Sequence, residues 1–127
     1  MAKKASVVFG IIFVIVGVLG FIPNPIVGEM GLFHADAVHN IVHLILGIVL
    51  LITAKKPAAA VTLIVVGVIY LLLAIIGFVV IDAGETAHLL GIAEANGADN
   101  WLHLVLAIVL LGVGFKAKKE TAAPMVA

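Results

Sequence analysis

Cysteine is absent from the 127-residue sequence, and only 11% of the residues are charged. Without cysteine the chain has no disulfide, no thiolate metal ligand, no iron–sulfur cluster and no cysteine nucleophile. A soluble domain carries about a quarter charged residues, whereas here 65% of the residues are hydrophobic and the mean hydropathy is +1.37. Because a water-soluble core cannot absorb this excess, we expect the apolar surface to face lipid.

Common catalytic and ligand-binding motifs are missing as well. The sequence contains no nucleophile elbow, no P-loop and no dinucleotide-binding fingerprint. Its seven basic residues are all lysines, too few and too scattered for a nucleic-acid-binding surface. We therefore predict a protein that is not an enzyme, carries no cofactor and binds no nucleic acid.

The chain has, instead, four long apolar runs. At 1.5 Å per helical residue, runs of about 18–25 residues span about 27–37 Å, enough to cross the hydrocarbon core. We predict an all-α fold: a four-helix transmembrane bundle in a single domain over residues 1–120, with a flexible cytoplasmic tail at 121–127. We expect the first helix to be retained rather than cleaved as a signal peptide, since no convincing cleavage site follows it. The helices are predicted at about residues 5–22, 37–54, 58–81 and 98–115.

The sequence matches itself after a shift of 60 residues. Apolar runs align easily by chance, so the polar and glycine matches carry the signal. We predict two tandem helical hairpins, about residues 1–57 and 61–117. Because each hairpin crosses the membrane twice, both copies enter from the same side, which makes the repeat parallel rather than inverted. The informative matches are Asn40 with Asn100, His43 with His103, Gly17 with Gly77, Gly31 with Gly91, and Ala35 with Ala95.

The two signs of charge are segregated along the chain. Six of the seven acidic residues lie in or beside two of the loops, and the lysines flank the third loop and both termini. The positive-inside rule then places both termini in the cytoplasm. In the two outer loops we expect short interfacial helices at "MGLF" and "TAHLLGIA". The lysines are Lys3, Lys4, Lys55, Lys56, Lys116, Lys118 and Lys119.

Polar side chains gather at the outer ends of the second and fourth helices. A polar group at membrane depth is costly unless it is paired, so we predict hydrogen bonds between helices or to the outer-loop backbone. Tyr70 is expected to hydrogen-bond within the bundle. The predicted structural polar pairs comprise Asn40, His43, Asn100 and His103.

The same region has a second interpretation, a metal or haem site. His39 and His43 are four residues apart and share a helix face, and imidazole is the commonest metal ligand. The pattern lacks the glutamate of the zinc-protease motif H-E-x-x-H, and the second half has Asp99 where the first has His39. The structural interpretation is therefore preferred. The candidate metal ligands are His39, His43, His103, Asp99 and His88.

Several stretches together resemble a known family. They are "GVLGFIP" closing the first helix, "GLF" before "HNIVHLILG", a tyrosine in the third helix, and "GADNWLHLVLAIVLL" opening the fourth. In this order they resemble the small bacterial membrane family catalogued as domain of unknown function 4383, over about residues 7–114. Ala107 departs from a pattern that often has glycine there. The matching positions are Gly31, Phe33, His39, Asn40, His43, Tyr70, Asp99, Asn100, Trp101 and His103.

The resemblance implies a bacterial four-helix membrane protein with no assigned activity and no catalytic residues to carry over. Joined to the residue-level interpretation, it predicts a small multi-pass integral protein of the bacterial cytoplasmic (inner) membrane, surrounded by the lipid bilayer. We expect a structural or accessory role, either by self-association or within a larger membrane complex. The alternative is a metal- or haem-binding module that uses the outer-face histidines.

Overall fold

The computed structural model describes residues 1–55, 57–81 and 85–122. Over these residues the fold is all-α with four helices, as predicted, and one small β-hairpin is added. Lys56, the loop residues 82–84 and the tail residues 123–127 lie outside the described residues. The elements are α1 (Ala2–Leu19), α2 (Ala37–Thr53), α3 (Ala59–Val80), β1 (Thr86–Leu89), β2 (Ala93–Asn96) and α4 (Gly97–Ala122).

Three of the helices are long and apolar enough to cross a membrane, namely α1, α3 and α4 over Gly97–Glu120. Only 22–33% of the residues in their most apolar windows are buried, so most of these side chains face outwards, as they would towards lipid. α2 is also apolar but shorter, at 17 residues. These helices indicate a membrane protein.

α1 ends at Leu19, three residues before the predicted end, because the chain turns into a loop organised by Asn24. The side-chain nitrogen of Asn24 lies 2.7–2.8 Å from the carbonyl oxygens of Leu19, Ile22 and Val27. Its Oδ1 accepts hydrogen bonds from the N–H groups of Ile26 and Val27. One asparagine therefore replaces the last helical turn that hydropathy alone predicted.

The short helices expected in the outer loops are not formed. "MGLF" is irregular, and "TAHLLGIA" falls in a β-hairpin in which β1 pairs antiparallel with β2. Leu89, the last residue of β1, is buried and packs with Ile81 and Ala95. The turn places Leu90 and Gly91 at φ values of 55° and 69°. A right-handed helix cannot include this backbone conformation, so the stretch turns back on itself.

The helices pack mainly as two antiparallel pairs, α1 with α2 and α3 with α4. In each pair an asparagine at the start of one helix lies directly against a glycine near the end of the helix before it. Asn40 meets Gly20, and Asn100 meets Gly77. A Cβ on either glycine would overlap the amide group, so glycine lets the two backbones approach closely there.

These contacts relate the first and third helices by a different spacing from the 60-residue shift. Gly20 and Gly77 are 57 residues apart, whereas the shift paired Gly77 with Gly17. The 60-residue spacing does relate α2 to α4, because Asn40 and Asn100 make matching contacts. Four further pairs of buried positions share the 57-residue spacing: Ser6 with Leu63, Gly10 with Gly67, Phe13 with Tyr70, and Gly17 with Ala74.

A single apolar cluster draws on all four helices. We call the end with residues 20–36 and the β-hairpin the loop end, and the end with both termini the lysine end. The cluster occupies the middle of the helices, and Tyr70 turns its phenol towards histidines nearer the loop end. The cluster consists of Phe13, Leu50, Leu63, Val66, Tyr70, Ala107 and Leu110.

A buried histidine cluster as candidate functional site

Three histidines meet between the two helix pairs, towards the loop end. His39 and His43 lie one turn apart on the inner face of α2, and His103 lies in the second turn of α4. Their exposed fractions are 6%, 5% and 1%. α2 is started by Asp36, whose carboxylate accepts a hydrogen bond from the backbone N–H of His39 at 2.9 Å. This cap fixes where the first imidazole enters the protein interior.

The three side chains, the histidine triad from here on, are arranged as a group of potential ligands. One ring nitrogen from each lies within 4.8 Å of the others. The rings of His39 and His43 are stacked, with centroids 4.9 Å apart, and the His103 ring is 5.7 Å from that of His39. In the described part of the chain no other set of three histidine or acidic side chains converges as closely.

The β-hairpin determines the orientation of His39. Its Nδ1 lies 2.7 Å from the backbone carbonyl oxygen of Glu94 in β2. A carbonyl oxygen only accepts, so Nδ1 carries the proton and donates it. Nε2 of His39 therefore has a free lone pair, and a backbone carbonyl that orients the other ring nitrogen is the usual arrangement behind a metal-bound imidazole.

Tyr70 has the corresponding role for His43. The phenol oxygen of this fully buried tyrosine lies 3.2 Å from Nδ1 of His43. A hydroxyl group can accept as well as donate, and when it accepts from Nδ1–H the Nε2 atom of His43 is free for a ligand. The Tyr70 ring also lies 5.2 Å from the His103 ring, and the Phe13 ring packs edge-on against His43 at 5.7 Å. The triad is thus held in place by aromatic neighbours.

His103 differs from the other two because its Nδ1 is buried without a hydrogen-bond partner among the described residues. Leaving a buried polar atom unsatisfied costs about 1–3 kcal/mol. An ion or a water molecule bound at this atom would satisfy it.

The remaining metal candidates lie outside the triad. Asp99 closes a reciprocal cap at the start of α4: its Oδ2 accepts from the Asn96 N–H at 2.8 Å, and its own N–H donates to the Asn96 Oδ1 at 3.1 Å. It also lines, with His39 and His43, a mainly apolar cavity of about 190 Å³. His88 lies on β1 with its side chain 56% exposed, 3.4 Å from the Glu94 carboxylate.

The predicted polar pairs are distributed unevenly. His43 and His103 come from different helix pairs and meet in the triad. Asn40 and Asn100 instead stay within their own helix pairs, each against a glycine, and the Oδ1 atom of each is buried without a partner in the described chain. Sequence reasoning missed Glu94 as an orienting residue, because it acts on His39 through a backbone carbonyl that every residue possesses.

Comparison with known proteins identifies a family and no closer relative. A search of curated proteins found no significant match, and neither did a search of solved structures. The sequence model of one family, described as Domain of unknown function (DUF4383), matches residues 3–116. Since this match covers nearly the whole chain, the protein belongs to the DUF4383 family.

Proposed function

We propose that this membrane protein binds one transition-metal ion between His39, His43 and His103. The observation that carries the proposal is the convergence of one ring nitrogen from each of three buried histidines, and the unpartnered Nδ1 of His103 adds to it a buried imidazole with a free polar atom. The orientation of His39 by Glu94 supports it, because that bond leaves Nε2 of His39 available. In the metal-free fold the buried, unpartnered Nδ1 of His103 is an energetic cost. Metal binding would explain why three imidazoles are nevertheless buried together.

The ligand set favours zinc or copper. Imidazole nitrogen suits zinc, copper, nickel and iron, and the chain has no thiolate to compete. Zinc–nitrogen bonds of about 2.0–2.1 Å in a tetrahedral site place the ligand atoms about 3.4 Å apart. The ring nitrogens of the triad lie within 4.8 Å of one another, so zinc binding would require the three rings to move closer together. A haem is not favoured, because the adjoining cavity of about 190 Å³ is below the 300–1,000 Å³ of pockets for drug-sized ligands.

Zinc binding by purified protein tests the proposal. Protein in detergent, stripped with a chelator and reloaded with zinc chloride, is expected to keep one zinc ion per triad after desalting. His103→Leu should lose this ion. Ser6→Ala is a matched control, because Ser6 is also fully buried with an unpartnered Oγ in the described chain, but lies near the lysine end. Wild-type protein that retains no zinc or copper after desalting would contradict the proposal.

The topology belongs to the same proposal: a four-helix transmembrane bundle in the bacterial cytoplasmic membrane, with the lysine end in the cytoplasm. The gathering of Lys3 and Lys55 around one cavity at that end supports it. Since the chain has no cysteine, single-cysteine variants report orientation cleanly. Glu29→Cys should react with a membrane-impermeant maleimide in intact cells and Lys55→Cys should not. The reverse pattern would overturn the orientation.

The tandem repeat is likewise proposed, in a revised form. The matching contacts of Asn40 with Gly20 and of Asn100 with Gly77 support two equivalent hairpins. Their first helices correspond at a spacing of 57 residues and their second helices at 60. The second helical hairpin then has three more residues between Gly77 and Asn100 than the first has between Gly20 and Asn40. The β-hairpin of β1 and β2 lies in this longer segment.

A structural or accessory role, by self-association or in a larger membrane complex, is a second proposal. The bonds from Tyr70 to His43 and from His39 to the Glu94 carbonyl support its structural part, because each joins the two helix pairs. If this were the only role, His43→Leu and His103→Leu would destabilise the metal-free protein and wild type would bind no ion. Native mass spectrometry from detergent tests association, and a strict monomer without a copurifying partner would contradict it.

A further inference from the structure

A cavity of about 370 Å³ lies at the lysine end, where residues at or beside the ends of all four helices meet. Its walls include four alanines that are at most 6% exposed, namely Ala54, Ala59, Ala60 and Ala117. A water molecule occupies about 30 Å³ in the liquid, so the cavity has room for a ligand larger than a single ion. Small apolar walls offer such a ligand no charge of their own, so the charged residues of the lining determine what fits.

Positive charge dominates the lining of this cavity. Lys3 comes from the first turn of α1 and Lys55 from the turn after α2, and both residues are exposed. Glu120 in α4 is the one acidic residue among the described residues that line the cavity. The other six acidic residues of the sequence lie in or beside the two outer loops. The cavity therefore favours an anionic ligand.

The start of α3 adds to this preference. Ala59 and Ala60, in its first turn, line the cavity. The first N–H groups of an α-helix have no partner within the helix, and the helix dipole places partial positive charge there. Ala58, which precedes α3, provides no side-chain cap, and the first turn contains no acidic residue. α3 thus lacks the negative charge that Asp36 supplies at the start of α2.

An apolar groove lies beside the cavity, between α1 and α4. Its lining includes Val8, Phe9 and Val113, and Lys4 is the one charged residue among the described residues that line it. Met1 borders both the groove and the cavity. Because α1 and α4 are apolar and long enough to cross a membrane, the groove would face the hydrocarbon chains of the lipid while the cavity lies at the level of the headgroups.

We propose that the lysine end binds one anionic phospholipid, with its phosphate between Lys3 and Lys55 and an acyl chain along Val8, Phe9 and Val113. A phospholipid joins a phosphate to acyl chains, and here a basic cavity adjoins an apolar groove. Basic pockets between transmembrane helices are typical sites for anionic headgroups. A free phosphate ion would fill the cavity and leave the groove unused. None of the triad histidines takes part in this site.

Native mass spectrometry of the full chain in detergent tests the proposal, with phosphatidylglycerol as the added lipid. Lys3→Gln with Lys55→Gln should weaken binding of one lipid at least about tenfold. Lys116→Gln with Lys119→Gln is the matched control, because it removes the same charge from the same end without touching the described lining of the cavity or the groove. This control should lose no more than about twofold. All four lysines are exposed, so thermal unfolding should be unchanged in both variants.

Two further ligands separate the sources of the phosphate. Phosphatidylethanolamine with the same acyl chains has no net charge and should bind at least about tenfold more weakly. Glycerol 3-phosphate has the phosphate without acyl chains and should not displace the lipid at equal concentration.

Three results would each overturn the proposed lipid site. Equal losses in the two double variants would show a general attraction of lysines for anionic lipid. Equal binding of phosphatidylethanolamine would remove the preference for an anion. Displacement by glycerol 3-phosphate would identify a site for free phosphate compounds instead.

Discussion

The two helix pairs share a framework but contribute different chemistry to the site. In both, an asparagine packs on a glycine of the preceding helix, and a histidine three residues later points inwards. The difference lies at the third helical position. The first pair has His39 there and the second has Asp99.

This single difference separates a capping residue from a proposed metal ligand. In α4 the carboxylate of Asp99 turns back to bond the Asn96 N–H and completes a reciprocal cap. In α2 the cap depends on Asp36 alone, and His39 is free to turn towards the Glu94 carbonyl. A symmetric pair of histidines thereby becomes a set of three, which is the usual number of protein ligands in an open zinc site.

A second difference lies on the helices opposite. Phe13 in α1 and Tyr70 in α3 occupy corresponding buried positions, and both contact His43. Only the tyrosine offers a hydroxyl group, so the second pair supplies an orienting hydrogen bond that the first cannot. The comparison teaches that the two pairs share their asparagine–glycine contacts and differ in the residues that would carry the chemistry.

The largest expected effect is from removing either shared histidine. His103→Leu and His43→Leu should each weaken zinc binding at least about 100-fold, because each removes one of three ligands. Competition with a zinc-binding dye in detergent measures the affinity. A variant that bound zinc as tightly as wild type would show that its histidine is not a ligand.

His39→Asp gives the first pair the residue of the second. We expect zinc affinity to fall by about 10–100-fold, a range that metal sites show on losing an orienting or ligating group. The new carboxylate can accept a hydrogen bond from the Asp36 backbone N–H, as Asp99 accepts one from the Asn96 N–H. Because the substitution also removes the bond from His39 to the Glu94 carbonyl, the metal-free protein should lose no more than about 1 kcal/mol in unfolding free energy. Thermal unfolding followed by circular dichroism with and without zinc checks both. A loss of more than about 2 kcal/mol in the metal-free state would contradict the cap argument.

The shared framework is tested by Gly20→Ala and Gly77→Ala. Each should destabilise the fold by roughly 1–3 kcal/mol, because the added methyl group meets the amide of Asn40 or Asn100. Gly112→Ala is the matched control: open space surrounds that position, so alanine should be neutral or stabilising by up to about 1 kcal/mol. Equal losses in all three would show that the contact with the asparagine amide does not determine the effect.

The smallest effect is expected from the unmatched aromatic pair. Tyr70→Phe makes α3 resemble α1 and removes one hydrogen bond, at a cost of about 0.5–1.5 kcal/mol in unfolding free energy. Zinc affinity should fall about tenfold, since His43 loses its orienting partner. Phe13→Tyr is the reciprocal control and should not restore affinity in Tyr70→Phe. Unchanged affinity in Tyr70→Phe would remove the hydroxyl from the metal site.

Hydropathy predicts the four helices well, because lipid-facing segments are apolar over their whole length. The polar matches at Asn40 and His43 also placed the candidate site at the outer ends of the second and fourth helices. The register of the first helix could not be predicted from sequence, since Gly17 and Gly20 are three residues apart and share a helix face. A shift without a gap therefore aligned Gly17 with Gly77. In the structure it is Gly20 that lies against the Asn40 side chain, as Gly77 lies against the Asn100 side chain.

The loop chemistry was the least predictable part. The β-hairpin depends on Leu89 and Ala95 packing against Ile81, a tertiary contact that overrides the helical pattern of its sequence. Glu94 orients His39 through a backbone atom, and no side-chain pattern records such a bond. The number of converging histidines therefore became visible only in three dimensions.

Zinc K-edge X-ray absorption of the zinc-loaded protein tests the histidine triad most directly. We predict a first shell dominated by three imidazole nitrogens at about 2.0–2.1 Å, reduced in His103→Leu and unchanged in Ser6→Ala. A shell made of oxygen alone, or an identical spectrum in His103→Leu, would contradict a metal ion held by His39, His43 and His103.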